Sequence, residues 1–215
     1  MEDLTLQSHF WDRSAVSKVF SHPLDHARFV REVGADAAVL DYGCGRGRLC
    51  GELAQRGFAH VVGVDYSPEM IEAAKREHPR LIVSVVNGSV LPFADESFDA
   101  VLLFAVLTCI PSDAAQRDLM VQISRVLKRG GLLLISDYPL QTDLRNVERY
   151  AAFAQEFGSY GTFRLPHGGV VRHHPREWFS ELLEGYSISD EIEMDSATMN
   201  GNPARVVQIW ARRES

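Results

Sequence analysis

The stretch from Val39 to Leu49 constrains the fold more than any other part of the sequence. It reads Val-Leu-Asp-Tyr-Gly-Cys-Gly-Arg-Gly-Arg-Leu, in which an apolar run leads into Asp41 and alternating glycines follow. Apolar residues then recur at helical spacing until Gly57. Glycine tolerates positive φ and lets a ligand approach the backbone, and the N–H groups at a helix start carry partial positive charge. The pattern predicts a strand, a glycine loop that a ligand can approach closely, and a helix whose first N–H groups face that ligand.

Strands and helices alternate along the chain as far as Asp137, which is typical of right-handed βαβ units and a parallel sheet. After the first strand, further strands are predicted over residues 61–64, 81–86, 98–104 and 132–136. Helices are predicted within residues 6–20, over 23–33 and 68–78, and from a cap at Ser112 or Asp113 to a stop at residues 128–131. Beyond them lie an aromatic-rich segment without a repeated βα unit (138–171), a helix that begins at Pro175, and two strands (187–194 and 205–212).

Length and composition narrow the class of protein. A chain of 215 residues can form one domain that buries roughly 70% of its unfolded surface. The formal charge of −7 argues against nucleic acid as the main partner, because phosphate binding needs a basic face. The three cysteines have neither metal-ligand nor secreted-domain spacing, the N-terminus lacks signal-peptide features, and no apolar run approaches the ~20 residues that cross a bilayer. We therefore expect a cytoplasmic protein without a membrane span.

Asp65 is the second feature that points to a site. It ends the second predicted strand, 18 residues after Gly47, where a carboxylate can accept hydrogen bonds from ribose hydroxyls. The alternative role of Asp65 is to cap the N-terminus of the helix that follows. Glycine loops followed by an acid also occur in NAD(P)-dependent oxidoreductases, but their G-x-G-x-x-G fingerprint places the third glycine one residue later than Gly47.

Four stretches, taken together, resemble a known family. They are Leu-Asp-Tyr-Gly-Cys-Gly-Arg-Gly (40–47), Val-Asp-Tyr-Ser-Pro-Glu-Met (64–70), Leu-Pro-Phe-Ala-Asp-Glu-Ser-Phe-Asp (91–99) and Leu-Lys-Arg-Gly-Gly-Leu (127–132). In this order they resemble the class I S-adenosylmethionine-dependent methyltransferases, in the style of the ubiquinone/menaquinone-biosynthesis-like group. The resemblance implies an α/β, Rossmann-like, doubly wound sheet of seven strands in three α/β/α layers. The sheet would be mostly parallel with an antiparallel last strand, in the order 3-2-1-4-5-7-6. A single methyltransferase domain would then comprise an N-terminal helical lid (1–34), a cofactor-binding core (35–137), a substrate-side insertion (138–172) and a C-terminal helix with a β-hairpin (173–215).

The resemblance also implies a cofactor, S-adenosyl-L-methionine, and a product, S-adenosyl-L-homocysteine. Gly43, Gly45 and Gly47 would hold the methionyl end through backbone N–H groups, and Asp65 would bind the ribose. Asn87 and Gly88 stand beside the adenine, where the family usually has an acidic and a small residue; an Asn carbonyl can still accept from the adenine amino group. The remaining implied cofactor contacts are Asp41, Cys44, Tyr66, Met70, Ser89, Phe104 and Ala105, while Asp99 is expected to be structural.

The implied reaction is methyl transfer to a small-molecule acceptor by in-line displacement, which needs a general base only if the acceptor must lose a proton. Candidate catalytic residues at the carboxyl ends of strands four and five are Thr108, Asp137 and Tyr138, with His9, His167 and His173 as further possibilities. The aromatic segment is expected to form the acceptor pocket, with Phe10 and Trp11 either closing over the site or lying in the core. No metal is expected, since the adjacent His173 and His174 would face opposite sides of a strand. A methyltransferase-like protein that binds cofactor or a partner without turnover stays open as an alternative.

Overall fold

A computed structural model of the chain describes residues 10–12, 22–87, 90–166 and 168–214. Most of the predicted helix over residues 6–20 lies outside this part, although residues 10–12 are helical. The described helices are α1 (His26–Val33), α2 (Arg48–Ala54), α3 (Pro68–Glu77), α4 (Asp113–Val126), α5 (Leu144–Phe157) and α6 (Arg176–Leu182). The described strands are β1 (Ala38–Tyr42), β2 (His60–Asp65), β3 (Ile82–Val85), β4 (Phe98–Phe104), β5 (Leu127–Asp137), β6 (Thr162–Arg164), β7 (Val170–Arg172), β8 (Tyr186–Ala197) and β9 (Pro203–Arg213).

Seven of these strands form one sheet in the order β3-β2-β1-β4-β5-β9-β8. Strands β1 to β5 pair in parallel, β9 pairs antiparallel with β5, and β8 pairs antiparallel with β9. Since β8 and β9 are the sixth and seventh strands of this sheet along the chain, the order is the one that the family resemblance implies. The predicted fold class is confirmed.

The two faces of the sheet are covered by different helices, because successive strand residues point to opposite sides. Val39 belongs to a core cluster with Phe29 of α1, Leu53 of α2 and Ile71 of α3. Its neighbour Leu40 belongs to the other cluster, which contains residues of α4 and α6. The molecule therefore has the three layers expected of a doubly wound α/β domain.

Local signals account for most helix starts. The Ser67 side chain accepts a hydrogen bond from the Met70 N–H, and Pro68 occupies the first helical position of α3, as predicted. Ser112, rather than Asp113, caps α4 by accepting from the Ala115 N–H. Asp25 caps α1, so this helix begins at His26 and not at the predicted residue 23.

One expectation about the second half of the chain was wrong, and one region contains structure that the sequence did not predict. Helix α4 ends at Val126, and residues 128–131 belong to β5 instead of closing the helix. Phe98 of β4 pairs with Leu127 of β5, and Ala100 pairs with Leu132, so the register shifts between these two pairs. Residues 128–131 lie in this irregular part of β5, where Gly130 has a φ of +70°. The insertion also contains regular structure that was not predicted, namely α5 and the two-stranded sheet of β6 and β7.

None of the helices in the described part of the chain is long and apolar enough to cross a membrane.

Candidate active site

Two adjoining cavities open at the carboxyl ends of the central strands. The larger has a volume of about 580 Å³ and is lined by residues that follow β1, β2 and β4. The smaller has a volume of about 80 Å³ and lies between the ends of β4 and β5 and the insertion. Trp11, Ala105 and Cys109 line both. Ligands bind at this edge of doubly wound sheets, so the two cavities form one candidate site with two compartments.

The larger cavity brings together most of the residues predicted to bind a cofactor. Its lining includes Asp41, Gly43, Cys44, Gly45, Asp65, Tyr66, Met70, Phe104 and Ala105. Gly47 and Asn87 are not among the lining residues, and Asn87 is exposed. Gly88 and Ser89 lie outside the described residues. Most of the predicted cofactor contacts therefore lie in one cavity. The contacts predicted for the adenine are not seen there, because Asn87 does not line the cavity and Gly88 and Ser89 are not described.

The glycine loop makes close approaches that a side chain would block. Gly43 has a φ of +75°, and a Cβ there would lie 2.7 Å from Cγ2 of Val106. Gly47 has a φ of +79° and occupies the cap position of α2, where a Cβ would lie 3.0 Å from Leu81. Both positions favour glycine for backbone conformation, and Gly43 also requires it for space.

The expectation that the N–H groups of this loop are exposed is wrong. The N–H groups of Gly43 and Cys44 both donate to the carbonyl of Val64, at 2.8 and 3.0 Å. The Gly45 N–H donates to Oδ2 of Asp65 at 2.9 Å, and the Gly47 N–H donates to the carbonyl of Cys44. The loop is thus tied to the end of β2, and the N–H groups of Gly43, Cys44, Gly45 and Gly47 already have acceptors within the protein.

Asp65 connects the loop to the start of α3. Its Oδ1 accepts from the Ser67 N–H at 2.9 Å while Oδ2 accepts from Gly45, and only 8% of the residue is exposed. Because an ionised carboxylate offers about four acceptor positions, both oxygens can still accept from the hydroxyls of a ligand. Burial raises the pKa of Asp65 to about 6, against the lowering effect of the backbone donors. Burial also raises the pKa of Asp41 to about 6, and Sγ of Cys50 donates to this second carboxyl at 3.3 Å.

A short N-terminal segment packs over both compartments. Phe10 and Trp11 are buried in a cluster with Met70, and Oδ1 of Asp12 accepts from the Ser67 hydroxyl at 2.5 Å. A Cβ at Gly169 would lie 2.6 Å from the Phe10 ring, so the insertion carries a glycine where this ring rests on it. The two aromatic rings thus lie in a buried cluster and, through Trp11, against both cavities.

The smaller cavity contains two of the three catalytic candidates. Thr108 and Tyr138 line it, together with the further candidate His173. The Tyr138 ring stacks on the His173 ring, with 5.1 Å between the centroids and an angle of 16° between the planes. His9 and His167 lie outside the described residues.

Asp137 does not line either cavity. Its carboxylate is fully buried and accepts from the N–H groups of Tyr138 at 2.7 Å and Thr108 at 3.2 Å. Burial raises the pKa of Asp137 to about 7, although these backbone donors act in the opposite direction. This geometry fixes the turn after β4 and thereby orients Thr108 and Tyr138.

Asp99 lies away from the cavities, as expected of a structural residue. Its Oδ2 accepts from the Ala38 N–H at 2.9 Å, and its Oδ1 pairs with Nζ of Lys128 at 2.7 Å. It therefore joins the starts of β1, β4 and β5 at the opposite edge of the sheet.

Several lining residues of the smaller cavity were missed from the sequence. His22 and the arginines Arg145 and Arg149 line it, as does the link between β8 and β9 through residues 197–200 and 202. No local motif marks these positions, because the wall is assembled from segments that are far apart in the chain. The two arginines are spaced four residues apart on α5, so recognising this helix would have placed them on one face.

His174 packs in the core and not at the site. It is fully buried, and its Nε2 lies 2.8 Å from Nε2 of Gln116, whereas α6 begins after Pro175. Within the described ranges, no group of three or more His, Cys, Asp or Glu side chains is arranged to hold a metal ion.

Comparisons with known proteins agree with this geometry. The family described as "Methyltransferase domain" matches residues 40–135. An O-methyltransferase, resE, of Aspergillus sclerotiorum is 31% identical over 180 residues, which cover 77% of this chain and 65% of the relative. A demethylmenaquinone methyltransferase of Tropheryma whipplei is 35% identical over 109 residues, which cover 49% of this chain and 44% of the relative. The chain thus spans less than two thirds of the length of these curated relatives.

A solved structure extends the similarity to almost the whole chain. A SAM-dependent methyltransferase of Methanosarcina mazei superposes with a TM-score of 0.82 at 25% identity, over 91% of this chain and 99% of that one. The structural similarity therefore extends well beyond residues 40–135, which the family match covers.

Proposed function

We propose that the chain is a class I S-adenosylmethionine-dependent methyltransferase of the ubiquinone/menaquinone-biosynthesis-like group, and that it transfers a methyl group to a small-molecule acceptor. The observation that carries the proposal is the junction of the two cavities. Ala105, at the end of β4, and Cys109 border both compartments, so a ligand in one would meet a ligand in the other there. A transfer reaction requires such a meeting point, because proximity and alignment supply much of its acceleration.

The larger cavity has the chemistry that the cofactor requires. Asp65 provides acceptor positions for ribose hydroxyls, Tyr66 and Met70 provide apolar surface for a purine ring, and the Asp41 carboxyl adds acceptor capacity. The close approach of Gly43 to Val106 leaves room that any side chain would fill. We assign Gly45, Cys44 and Phe104 to the same site, because they line the same cavity. Gly47 would act by shaping the loop, and the assignment of Asn87, Gly88 and Ser89 to the adenine rests on the motif alone.

S-adenosylmethionine, when bound, supplies a methyl group already activated by the positive charge of its sulfonium. The protein's own contribution is to align the acceptor, exclude water and accept a proton where the acceptor carries one. Trp11 and the turn at Thr108 would exclude water from the junction, because both border the smaller cavity. Asp137 would act as a positioning residue, since its carboxylate holds the backbone of that turn and touches neither cavity.

The acceptor is proposed to be a small molecule and not a nucleic acid. The smaller cavity has a volume of only about 80 Å³, and the chain carries a formal charge of −7. The insertion (138–172) would cover the acceptor, the N-terminal segment (1–34) would act as a lid, and residues 35–137 would hold the cofactor. The three cysteines are free, which suits the reducing cytoplasm as the place of action.

The test measures methyl transfer by the wild-type protein and by a variant whose larger side chain closes the junction of the two cavities. We expect the purified protein to convert S-adenosylmethionine to S-adenosylhomocysteine with at least one member of a panel of phenols, carboxylic acids, amines and thiols. Cys109→Phe should fill the junction and abolish transfer while it leaves the affinity for S-adenosylhomocysteine within about threefold. Cys109→Ser, which keeps the size of the side chain, is the matched control and should retain transfer. Cofactor binding with no product across the whole panel would instead support a binding protein with this fold.

A further inference from the structure

The smaller cavity is positively charged within an acidic protein. Its described lining contains two arginines, Arg145 and Arg149, and no aspartate or glutamate. Arg145 lies 3.8 Å from a carboxylate oxygen of Asp143, which is outside this lining and half exposed. Asp143 thus offsets part of the charge of Arg145 from outside the cavity, while the lining itself carries only positive side chains. Such a lining is typical of a site that binds an anion.

Arg149 is the more buried of the two arginines. Its guanidinium carbon lies 3.5 Å from the centre of the Phe163 ring, and its Nε is buried without a hydrogen-bond partner in the described part of the chain. No described carboxylate lies within ion-pair distance of it. Burial lowers the pKa of Arg149, which reflects the cost of holding a cation away from water. A carboxylate in the cavity would offset this cost, because arginine pairs with the two oxygens of a carboxylate in matching geometry.

A row of flat rings leads from Arg149 to the junction of the two cavities. The Phe163 and His173 ring centroids lie 5.1 Å apart, those of His173 and Tyr138 lie 5.1 Å apart, and those of Tyr138 and His22 lie 4.8 Å apart. All four rings line the smaller cavity. The His173 and Tyr138 rings are stacked, at 16°, whereas the other two contacts are edge-to-face, at 89° and 73°. Such a wall favours a planar aromatic ligand, because aromatic rings attract one another in both arrangements.

His22 stands at the other end of this row, beside the junction. Its Nδ1 lies 3.1 Å from the carbonyl of Ser136, which also accepts from the Ala105 N–H at 2.8 Å. The hydroxyl oxygen of Ser136 also lies 3.1 Å from Nδ1. A carbonyl only accepts hydrogen bonds and a hydroxyl can accept as well, so a proton on Nδ1 suits both oxygens, and Nε2 then keeps a lone pair. This Nε2 is buried and has no partner among the described residues. Burial and the nearby Arg48 lower the pKa of His22 to about 4, although the Ser136 bond acts against them, so the ring is neutral near pH 7.

We infer that the smaller cavity takes a small planar hydroxy acid, whose carboxylate pairs with Arg149 and Arg145 and whose hydroxyl donates to Nε2 of His22. The inference deepens the proposed function, on which it rests, by naming the class of acceptor. The arginines and His22 line the same small cavity, so a ligand that fills it would be selected for both groups. The hydroxyl end lies next to Ala105, which is the end at which the acceptor would meet the methyl donor.

The test compares matched ligands by isothermal titration of the full chain saturated with S-adenosylhomocysteine. The probes are the three isomers of hydroxybenzoate, their carboxamides, and benzoate, which lacks the hydroxyl. At least one hydroxybenzoate should bind about tenfold or more tightly than its carboxamide, as expected for a hydrogen-bonded charge pair. Arg149→Met should reduce this preference to less than about threefold, and Arg149→Lys should retain part of it.

Two further variants separate the roles of the groups. Arg164→Met removes an arginine of the same insertion that does not line the cavity, and it should keep the full preference. His22→Asn keeps a donor for Ser136 but removes Nε2, so it should abolish the advantage of hydroxybenzoate over benzoate and leave the preference for carboxylate. The affinity for S-adenosylhomocysteine should stay within about twofold in every variant.

Equal binding of acid and carboxamide, no binding of any isomer, or a preference that survives Arg149→Met would overturn the inference. Failure of the proposed function has a different signature, because the wild-type protein would then not bind S-adenosylhomocysteine at all. In that case, titration of the same probes into the free protein still decides whether the cavity prefers carboxylates.

Discussion

Replacing Gly43 by alanine would place a methyl group against the turn that follows β4. Gly43 has a φ of +75°, and its new Cβ would lie 2.7 Å from Cγ2 of Val106, which is itself buried. The substitution therefore combines two unfavourable effects, a left-handed backbone at a residue other than glycine and an overlap in a packed interior.

The two effects have separate magnitudes. The left-handed conformation costs about 1–2 kcal/mol for a residue with a Cβ, and overpacking costs about 1–3 kcal/mol. We expect Gly43→Ala to lower the free energy of unfolding by about 3 kcal/mol. For a chain of this size, this lowers Tm by roughly 6–12 °C.

Gly57 provides a matched control for the backbone effect. It has a φ of +91°, and no described atom lies within 4 Å of the position of its Cβ. Denaturant unfolding should therefore show a smaller loss for Gly57→Ala than for Gly43→Ala, and the excess should nearly vanish when both are measured in a Val106→Ala background. The reasoning is refuted if Gly43→Ala costs no more than Gly57→Ala, or if Val106→Ala leaves the excess unchanged.

Three further predictions concern buried and half-buried polar groups. The pKa of His22 is about 4 in the folded protein and near 6.5 when unfolded, so the unfolded state binds more protons between these values. Lowering the pH from about 6.5 to about 4 should therefore reduce the unfolding free energy of the wild type by about 3 kcal/mol more than that of His22→Asn. Denaturant unfolding at each pH measures this difference, and plots of unfolding free energy against pH that run parallel for the two proteins would contradict it. Asp137→Ala leaves the Thr108 N–H buried without its acceptor and should lower the unfolding free energy by about 3 kcal/mol in the same assay, and a loss below about 1 kcal/mol would show that the carboxylate does not hold the turn. Asp99→Ala removes the acceptor for the Ala38 N–H and should cost only about 1 kcal/mol, with the affinity for S-adenosylhomocysteine unchanged in a titration; a weakened affinity would place Asp99 at the site.

The sequence predicted the cofactor half of the fold well, because its signals are local. Strand β4 has the predicted bounds, Phe98–Phe104, since its apolar residues up to Leu103 are buried between two helical layers. The start of α3 follows from Ser67 and Pro68, whose effects reach only a few residues. Asp65 was placed beside the glycine loop by its position at the end of a strand, which fixes its location once the sheet is parallel.

The insertion resisted prediction for a physical reason. Helix α5 buries only Asn146 and Tyr150 fully, while Leu144 is 71% exposed, so hydrophobicity does not mark the residues that this helix buries. Strands β6 and β7 contain three residues each, too few for an alternating pattern. The irregular start of β5 escaped because Gly130-Gly131 is also a common end to a helix.

The smaller cavity could not be predicted as a unit, because its wall depends on tertiary contacts between distant segments. His22 reaches Ser136 across 114 residues, and Arg149 reaches Phe163 only once α5 packs on β6. The direction of the loop N–H groups was likewise decided by Val64 and Asp65, which a local reading of the glycines does not include.

The most direct test of the central claim is isothermal titration of the purified chain with S-adenosylmethionine, S-adenosylhomocysteine and NADH. The account predicts micromolar binding of the first two and none of NADH. It also predicts a loss of about 100-fold in Asp65→Ala, since two hydrogen bonds to a charged acceptor disappear, and no change in Asp99→Ala. Absence of binding by both methionine cofactors, a preference for NADH, or full affinity in Asp65→Ala would contradict the assignment of the larger cavity.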